Sequence, residues 1–525
     1  MAMTHDKPSR GRRSPAGRER SGGIRISGRS LTLSQFESVA CADPPVRVSL
    51  DRGAAARMEQ SARLVGRLLR DGQIVYGVTT GFGRLADVRI DPAQRRRLQR
   101  NLIVSHAAGV GPLCTRAEVR GMMLLRLNML AMGHSGVRVA LAKRLIEFLN
   151  ADLCPVVPRR GSVGASGDLA PMAHVALAMI GEGEVELAGR RTTARRAHAR
   201  LGIGPLTLEA KEGLALINGV QASTALLALS VSSLSKLLES ADYICAMTSL
   251  AVAGSRSAFD PRHATVRGHK GQAASSQRIL AVLEKSGRPR SAGGRVQDPY
   301  SIRCAPQVHG VVHDALTAAK AACEVEMNAA TDNPLVFATD GDILSGGNFH
   351  GAPIGHLADH LSIAVTDLAS ISERRIALLM DPQITGATRF LGPTRGEGLH
   401  SGLMMWQVTA AALVSEMKTL AHPASVDNIP TSLGQEDHVS MSMWATDKLG
   451  QILERLRIVL AIEAIAGWRA AQLTNRVPRS GPLAVLTRSV DRLHPHTLDD
   501  AFLGPLIGLV SAELESWATK APSRL

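Results

Sequence analysis

The sequence predicts a mainly α-helical fold, and two observations support this prediction. Aromatic residues make up only 3% of the 525 residues, whereas hydrophobic residues make up 45%. The core must therefore be built mainly from Leu, Ala, Val, Ile and Met, which favours helices over a β-sandwich. Long stretches also repeat their apolar residues at helical spacing, with glycine-rich segments between them.

The helical stretches follow one another along most of the chain. They cover residues 54–70, 117–132, 139–150, 223–253, 308–330, 354–380, 402–420 and 443–473. A short alternating segment at residues 182–189 predicts a small hairpin or an irregular excursion. Residues 268–294 are rich in Ser, Gly and Arg and predict a surface excursion.

The distribution of charge predicts a tail at the start of the chain. The formal net charge is +15, and part of the excess lies in a polar, Gly- and Ser-containing stretch, residues 1–28. Such a segment is typical of a disordered, solvated tail, and it has no aromatic residue that could stack on bases. We expect residues 29–525 to form one domain with three regions, 29–222, 223–475 and 476–525, and we expect no nucleic-acid partner.

The cysteines and the apolar segments indicate a cytoplasmic protein without a membrane segment. The six cysteines are far apart and show no paired metal-ligand spacing, which predicts free thiols in a reducing compartment and no metal site. The start of the chain lacks the apolar core of a signal peptide. The most apolar stretch, residues 213–237, carries Asn218, Gln221 and several serines, which indicates a buried core helix.

One glycine-rich run carries a specific chemistry. It reads Gly-Ser-Val-Gly-Ala-Ser-Gly-Asp-Leu-Ala-Pro over residues 161–171, with Ala165, Ser166 and Gly167 at its centre. If the Gly167 nitrogen attacks the Ala165 carbonyl carbon, a five-membered ring closes. Loss of water, including the Ser166 hydroxyl, then leaves an exocyclic methylene, which gives the electrophile methylideneimidazolone. A bare Ala-Ser-Gly would more simply be a loop that turns a corner.

The flanking residues favour the chemical reading. The run, continued to His174, resembles the signature of the aromatic amino acid ammonia-lyases, most closely the branch that acts on histidine, and further matches extend from about Leu31 to about Met443. The resemblance implies a bundle of long helices of the type shared with fumarase, preceded by a loop-rich region that carries the electrophile. It also implies a homotetramer with shared active sites, and a methylideneimidazolone made from residues 165–167 with no external cofactor.

Three further residues match family positions in the first half of the chain. Tyr76 opens the glycine-rich loop that carries the catalytic tyrosine in the family. His106 follows Ser105 at the position that sorts substrates, and it is our candidate contact for the substrate side chain. Asn218 matches a residue that hydrogen-bonds near the electrophile. Without the resemblance, the simpler interpretations are a packed loop tyrosine for Tyr76, a structural histidine for His106 and an Asn-Gly turn for Asn218.

The second half of the chain supplies the remaining candidates. Gln297, Tyr300 and Arg303 lie in a second family signature, and Arg303 is the natural bidentate clamp for an α-carboxylate. Gln297 and Tyr300 complete a polar shell in this interpretation. Phe349 resembles the residue beside the electrophile ring. Glu436 matches the carboxylate that faces the imidazole of the substrate in histidine lyases.

The resulting hypothesis is non-oxidative elimination of ammonia from an aromatic L-amino acid, with L-histidine and urocanate as the expected pair. Four departures from the family pattern, at Thr79, Val220, Met417 and Gly434, leave the substrate open. A tyrosine or phenylalanine ammonia-lyase, or a 2,3-aminomutase, is therefore an alternative on the same scaffold. A non-enzymatic homologue is a further alternative, which the retained electrophile run argues against.

Overall fold

The computed structural model describes residues 23–286, 295–396, 398–495, 497 and 499–520. Helices dominate it, which confirms the predicted mainly α-helical class. In the first part they are α1 (Leu33–Cys41), α2 (Arg52–Arg70), α3 (Arg95–His106), α4 (Arg116–Ala131), α5 (Val139–Asn150), α6 (Leu169–Met179), α7 (Ala194–Leu201) and α8 (Glu212–Ile217). The bundle follows with α9 (Gln221–Ala251), α10 (Pro261–Arg267), α11 (Lys270–Lys285), α12 (Tyr300–Arg303), α13 (Ala305–Met327), α14 (Ala352–Leu379), α15 (Pro382–Thr385), α16 (Met404–Leu420) and α17 (Ser442–Leu473). The last two helices are α18 (Gly481–Leu493) and α19 (Gly504–Lys520).

The described strands are short and form four small sheets. A parallel pair joins β1 (Ile24–Ile26) to β2 (Val48–Leu50), and an antiparallel pair joins β3 (Val110–Leu113) to β5 (Pro158–Arg160). A three-stranded sheet has the order β4 (Leu153–Pro155), β6 (Glu184–Leu187), β7 (Arg190–Thr193). The final hairpin pairs β8 (Leu335–Phe337) with β9 (Asp342–Leu344). The β6–β7 hairpin confirms the hairpin alternative for residues 182–189, although its second strand lies beyond that range.

Three long helices form the scaffold of the bundle. α9, α14 and α17 have 31, 28 and 32 residues, so each extends for more than about 40 Å. They pack against one another through buried apolar side chains. A buried carboxylate ties all three together, because Glu463 of α17 accepts hydrogen bonds from Arg375 of α14 and Thr248 of α9 at 2.6 and 2.8 Å. A fully buried charge pair is costly unless it is hydrogen-bonded in this way.

Helix ends converge on the glycine-rich run that the sequence singled out. α6 begins at the last residues of the run, and α3 and α8 pack against α6. Only three residues separate the end of α8 from the start of α9. The start of α17 adds a fifth support, since Met441 N donates to the Val163 carbonyl at 2.8 Å and Ser440 Oγ donates to the Gly164 carbonyl at 3.0 Å. The run is therefore held between both parts of the chain.

Two expectations about loops are wrong. Most of residues 268–294 form α11, whose Ile279, Val282 and Leu283 are buried against the bundle; residues 287–294 lie outside the described residues. The predicted tail over residues 1–28 ends too late, because Ile24–Ile26 forms β1 and Ile26 is 1% exposed. Residues 1–22 lie outside the described residues, and the division of 29–525 into three regions stays a prediction.

Every helix in the described ranges is too short or too polar to cross a lipid bilayer.

The structure contains all eight helices that the apolar spacing predicted. The predicted helices at 54–70, 117–132, 139–150 and 223–253 correspond to α2, α4, α5 and α9, and those at 308–330, 354–380, 402–420 and 443–473 correspond to α13, α14, α16 and α17. These predictions are confirmed to within a few residues at each end.

The first strand gives a test of where the folded chain starts. A chain that begins at residue 29 loses the buried Ile26 side chain and the 3.0 Å hydrogen bond from Gly28 N to Asn128 Oδ1. We expect it to lose about 2 kcal/mol of unfolding free energy relative to a chain that begins at residue 23, because a buried isoleucine contributes about that much. Chemical denaturation measures the difference, and equal midpoints with equal slopes would show that β1 contributes nothing.

Candidate active site

A cavity of about 840 Å³ lies beside the glycine-rich run. Its wall is formed by the loop after α2, the end of α3, the run itself, the end of α8 and two loops that precede α14 and α17. Seven of the predicted site residues line it, namely Tyr76, His106, Ala165, Ser166, Asn218, Phe349 and Glu436. The fold therefore brings together residues that are up to 360 positions apart in the chain.

The centre of the run is packed backbone against backbone. Gly167 has a φ of +75° and pairs with Gly219 in a parallel bridge. A β-carbon at residue 167 would lie 2.3 Å from the carbonyl carbon and oxygen of Gly219. Glycine is therefore required here for contact as well as for conformation.

Two N–H groups point at the carbonyl oxygen of Ser166. Asn218 Nδ2 donates to it at 2.9 Å and the backbone N–H of Gly219 donates at 3.3 Å. Two converging donors stabilise negative charge on a carbonyl oxygen, as an oxyanion hole does. The Ser166 hydroxyl points the other way and donates to Glu436 Oε1 at 2.7 Å.

Asp168 anchors the run to the start of α9. Its side chain is completely buried and accepts hydrogen bonds from Ser162 Oγ at 2.9 Å and from the N–H and Oγ of Ser223 at 2.7 and 2.8 Å. Burial raises the pKa of the Asp168 carboxyl, and the Ser223 and Ser162 donors oppose that shift. The Asp168 carboxyl thus fixes the loop that follows the Ala-Ser-Gly tripeptide.

Tyr76 and His106 face the cavity from one side. The Tyr76 hydroxyl oxygen accepts a hydrogen bond from the Gly83 N–H at 2.9 Å, which fixes the direction of the ring. The Ser105 hydroxyl lies 3.0 Å from His106 Nδ1. Burial lowers the pKa of His106, although the Leu102 carbonyl and the charge of Glu436 oppose the shift. A neutral imidazole at this place can both donate and accept a hydrogen bond.

Glu436 occupies the opposite side, and sequence reasoning missed its immediate partners. Its second oxygen accepts a hydrogen bond from Thr431 Oγ1 at 2.6 Å, so the carboxylate is held from two sides. Next to it, the rings of His350 and His438 are parallel at a centroid separation of 5.7 Å, and both residues line the cavity. The His side chains stand in the matched runs, but only the fold shows that they are neighbours.

Gln297, Tyr300 and Arg303 do not line the cavity of their own chain. They lie in and before the short helix α12, where Tyr300 is 70% exposed and its ring stacks on the Arg303 guanidinium at 4.6 Å. Arg303 Nε is buried and has no hydrogen-bond partner among the described residues. The expected carboxylate clamp is thus separate from the glycine-rich run of residues 161–171 within one chain.

The four departures from the family pattern lie outside the cavity wall. The Thr79 hydroxyl accepts a hydrogen bond from the Val75 N–H at 2.8 Å, and Val220 and Met417 are 1% and 0% exposed in the core. Gly434 has a φ of +79° in the loop before Glu436, with open space where a β-carbon would stand. Thr79 and Gly434 thus support the backbone of their loops, and Val220 and Met417 pack in the core.

The residues present fit a methylideneimidazolone at positions 165–167. The close approach of Gly167 to Gly219 leaves no room for a side chain, and the two donors face the oxygen that would be conjugated to the methylene. Within the described part of the chain, no group of three or more His, Cys, Asp or Glu side chains is placed to hold a metal ion.

This chain is similar in sequence to known proteins over most of its length. The family model for aromatic amino acid lyases matches residues 31–492. Histidine ammonia-lyase of Symbiobacterium thermophilum is 48% identical over 449 residues, which are 85% of this chain and 88% of that relative.

Two solved structures extend the comparison to the fold. The crystal structure of histidine ammonia-lyase from Trypanosoma cruzi has a TM-score of 0.87 at 37% identity, covering 95% of this chain and 94% of that one. The structure of a tyrosine aminomutase from Streptomyces globisporus has a TM-score of 0.89 at 33% identity, covering 94% and 97%.

The contact between residues 167 and 219 gives a stability test. We expect Gly167→Ala to destabilise the fold by about 1–3 kcal/mol, because the new methyl group would overlap the Gly219 backbone. Gly346→Ala is the matched control, since Gly346 lines the same cavity and a β-carbon there would meet nothing within 4 Å. Thermal unfolding compares the two variants, and equal midpoints would mean that the close contact is not a constraint.

Proposed function

Because this chain belongs to the aromatic amino acid lyase family, we propose that it removes ammonia from L-histidine to give urocanate. The chain is a carbon–nitrogen lyase, as are the histidine ammonia-lyases it resembles. The observation that carries the histidine assignment is the placement of His106 and Glu436 in one cavity with Ser166. The alternative, a tyrosine or phenylalanine ammonia-lyase or a 2,3-aminomutase, draws its support from the tyrosine aminomutase of similar fold.

In this proposal residues 165–167 form a methylideneimidazolone, and no external cofactor is needed. The group would supply an electrophile that takes up the substrate amine and so turns it into a better leaving group. Asn218 Nδ2 and the Gly219 N–H are the donors that would polarise its carbonyl oxygen. Phe349 lines the cavity beside them and would pack against the ring and the substrate.

The chain's own residues divide the remaining work. Tyr76 is the base that removes the β-proton, its ring held by the Gly83 N–H. His106 and Glu436 hold the substrate imidazole. The neutral state that burial favours for His106 suits a hydrogen bond to a ring nitrogen, and Glu436 compensates a positive charge on that ring.

The carboxylate clamp supports a shared active site. Arg303, with Gln297 and Tyr300 beside it, would bind the substrate carboxylate, yet these residues stand apart from the cavity of their own chain. A neighbouring copy can provide them, so we propose a homotetramer in which subunits complete one another's sites.

The six free cysteines suit the reducing cytoplasm, where we propose that the enzyme acts.

A substitution of Ser166 tests the proposed electrophile. We expect Ser166→Ala to fold normally and to show no histidine turnover, because the methylene derives from the Ser166 β-carbon. Ser345→Ala, which changes a serine elsewhere on the cavity wall, is the control and should retain activity. Urocanate absorbance measures turnover, and near-wild-type activity in folded Ser166→Ala would exclude the electrophile.

The proposed contacts of His106 and Glu436 with the substrate ring lead to a test of substrate preference. A buried polar group without its partner costs about 1–3 kcal/mol, so each mismatch should disfavour phenylalanine by about ten- to a hundredfold. We therefore expect histidine to exceed phenylalanine and tyrosine in kcat/KM by orders of magnitude. Glu436→Gln should lower histidine turnover sharply, and His106→Leu should shift preference towards phenylalanine.

A panel of L-histidine, L-tyrosine and L-phenylalanine, with chromatography of the products, measures this preference. Good turnover of tyrosine without histidine turnover would move the assignment to the alternative. A β-amino acid product would identify an aminomutase.

A further inference from the structure

A buried arginine stands directly behind the electrophile run. Arg126 of α4 is 0% exposed and donates from Nη1 to the carbonyl oxygens of Asn218 at 2.5 Å and Ala215 at 2.9 Å. Its Nε and Nη2 have no hydrogen-bond partner among the described residues. Burial lowers the pKa of Arg126 to about 10, so the side chain still carries its charge at neutral pH.

Arg126 binds the carbonyl oxygen of the Asn218–Gly219 peptide group, and the N–H of the same peptide group faces Ser166. In a planar trans peptide the C=O and the following N–H point in opposite directions. Arg126 holds the Asn218 carbonyl, and the N–H of the same peptide is the Gly219 N–H that donates to the Ser166 oxygen at 3.3 Å. Rotation of this single peptide would turn the N–H away and present a carbonyl to the Ser166 oxygen instead.

The sequence at this peptide makes such a rotation possible. Gly219 has a φ of +117° and no side chain, and a β-carbon there would lie 2.6 Å from Thr331 Oγ1. The Asp168 N–H holds only the next carbonyl, that of Gly219, at 2.9 Å. The Arg126 guanidinium is the group that fixes the Asn218 carbonyl.

We propose that Arg126 is a positioning residue for the reaction, which locks the Asn218–Gly219 peptide with its N–H directed at the Ser166 carbonyl oxygen. A cation bound to the carbonyl also polarises the peptide and strengthens its N–H as a donor. This inference rests on the proposed electrophile at residues 165–167. It adds to that proposal a residue without contact to the cavity, since Arg126 is absent from the wall.

A second arginine of the same helix provides a matched control. Arg120 is also 0% exposed, but its Nη1 forms a 2.9 Å ion pair with Asp152 and its Nε binds the Val39 carbonyl at 3.0 Å. It therefore shares the burial and the helix of Arg126 without any link to residues 165–167 or 218–219. No carboxylate forms a direct ion pair with Arg126 among the described residues, and the nearby Asp332 is bound to Lys211 at 2.7 Å.

The experiment compares Arg126→Met, Arg126→Lys and Arg120→Met in the full chain. We expect Arg126→Met to lower kcat about a hundredfold, the typical effect of losing one oxyanion donor, with KM changed by less than about threefold. Arg126→Lys should recover part of kcat, because an ammonium can still bind the Asn218 carbonyl. Arg120→Met should lower the thermal midpoint and leave kcat close to wild type.

Two measurements besides turnover separate the outcomes. Intact mass should show the loss of two water molecules in wild type and in all three variants, and the electrophile of Arg126→Met should react more slowly with borohydride. A wild-type chain without that mass loss would disprove the proposed function itself. A folded Arg126→Met that lacks the mass loss would place Arg126 in ring formation and overturn the positioning role.

The remaining outcomes are decided by the kinetics. Unchanged kcat in Arg126→Met, or equal losses of kcat in Arg126→Met and Arg120→Met, would overturn the proposal. If Arg126→Met fails to fold, Arg126→Lys decides, since it should fold with kcat reduced about tenfold, a smaller loss than that for a donor removed outright. Wild-type kcat in Arg126→Lys would then overturn it.

Discussion

The contact between Gly167 and Gly219 is the constraint on which the site depends. Two backbones meet there with no side chain between them, and a single β-carbon on residue 167 would lie 2.3 Å from the opposite carbonyl. The contact brings the Ser166 carbonyl within reach of the Asn218 and Gly219 donors. The hydrogen bonds from Ser223 to the buried Asp168 carboxyl then tie the run to the start of α9. The Ala-Ser-Gly tripeptide of residues 165–167 is thus held in place by its neighbours.

The long helices give these loops a stable base. The buried Arg375–Glu463 pair joins α14 to α17, and Thr248 of α9 donates to the same Glu463 carboxylate. α9 and α17 each begin beside the glycine-rich run of residues 161–171. Glu436 stands in the loop before α17, and Asn218 stands before α9. The residues that face one another across the cavity are therefore attached to helices that are themselves packed together, which is how a site gains precise geometry from loop residues.

Much of this could be predicted from sequence, for physical reasons that differ between elements. Helices such as α5 and α17 follow from apolar periodicity, and the run at residues 161–171 follows from its unusual composition and the family resemblance. α11 was missed because serines and glycine dilute its apolar face, yet Gly271 lets it pack directly on the Gly310 backbone. β1 was missed because a three-residue strand has no period of its own; its burial comes from pairing with β2.

Contacts between distant residues could not be predicted from sequence alone. The hydrogen bond from Ser166 to Glu436 joins residues 270 positions apart, and only the fold places Arg126 behind the Asn218–Gly219 peptide. The position of Arg303 away from its own cavity is likewise a property of the folded chain.

The central claim, that residues 165–167 carry the electrophile of a histidine-specific lyase, is tested most directly by borohydride treatment followed by peptide mass mapping. The account predicts that histidine turnover falls in parallel with reduction of the peptide that contains Ser166, and that a substrate analogue present during treatment protects both. Full turnover after complete reduction of that peptide, or inactivation with that peptide unmodified, would contradict it.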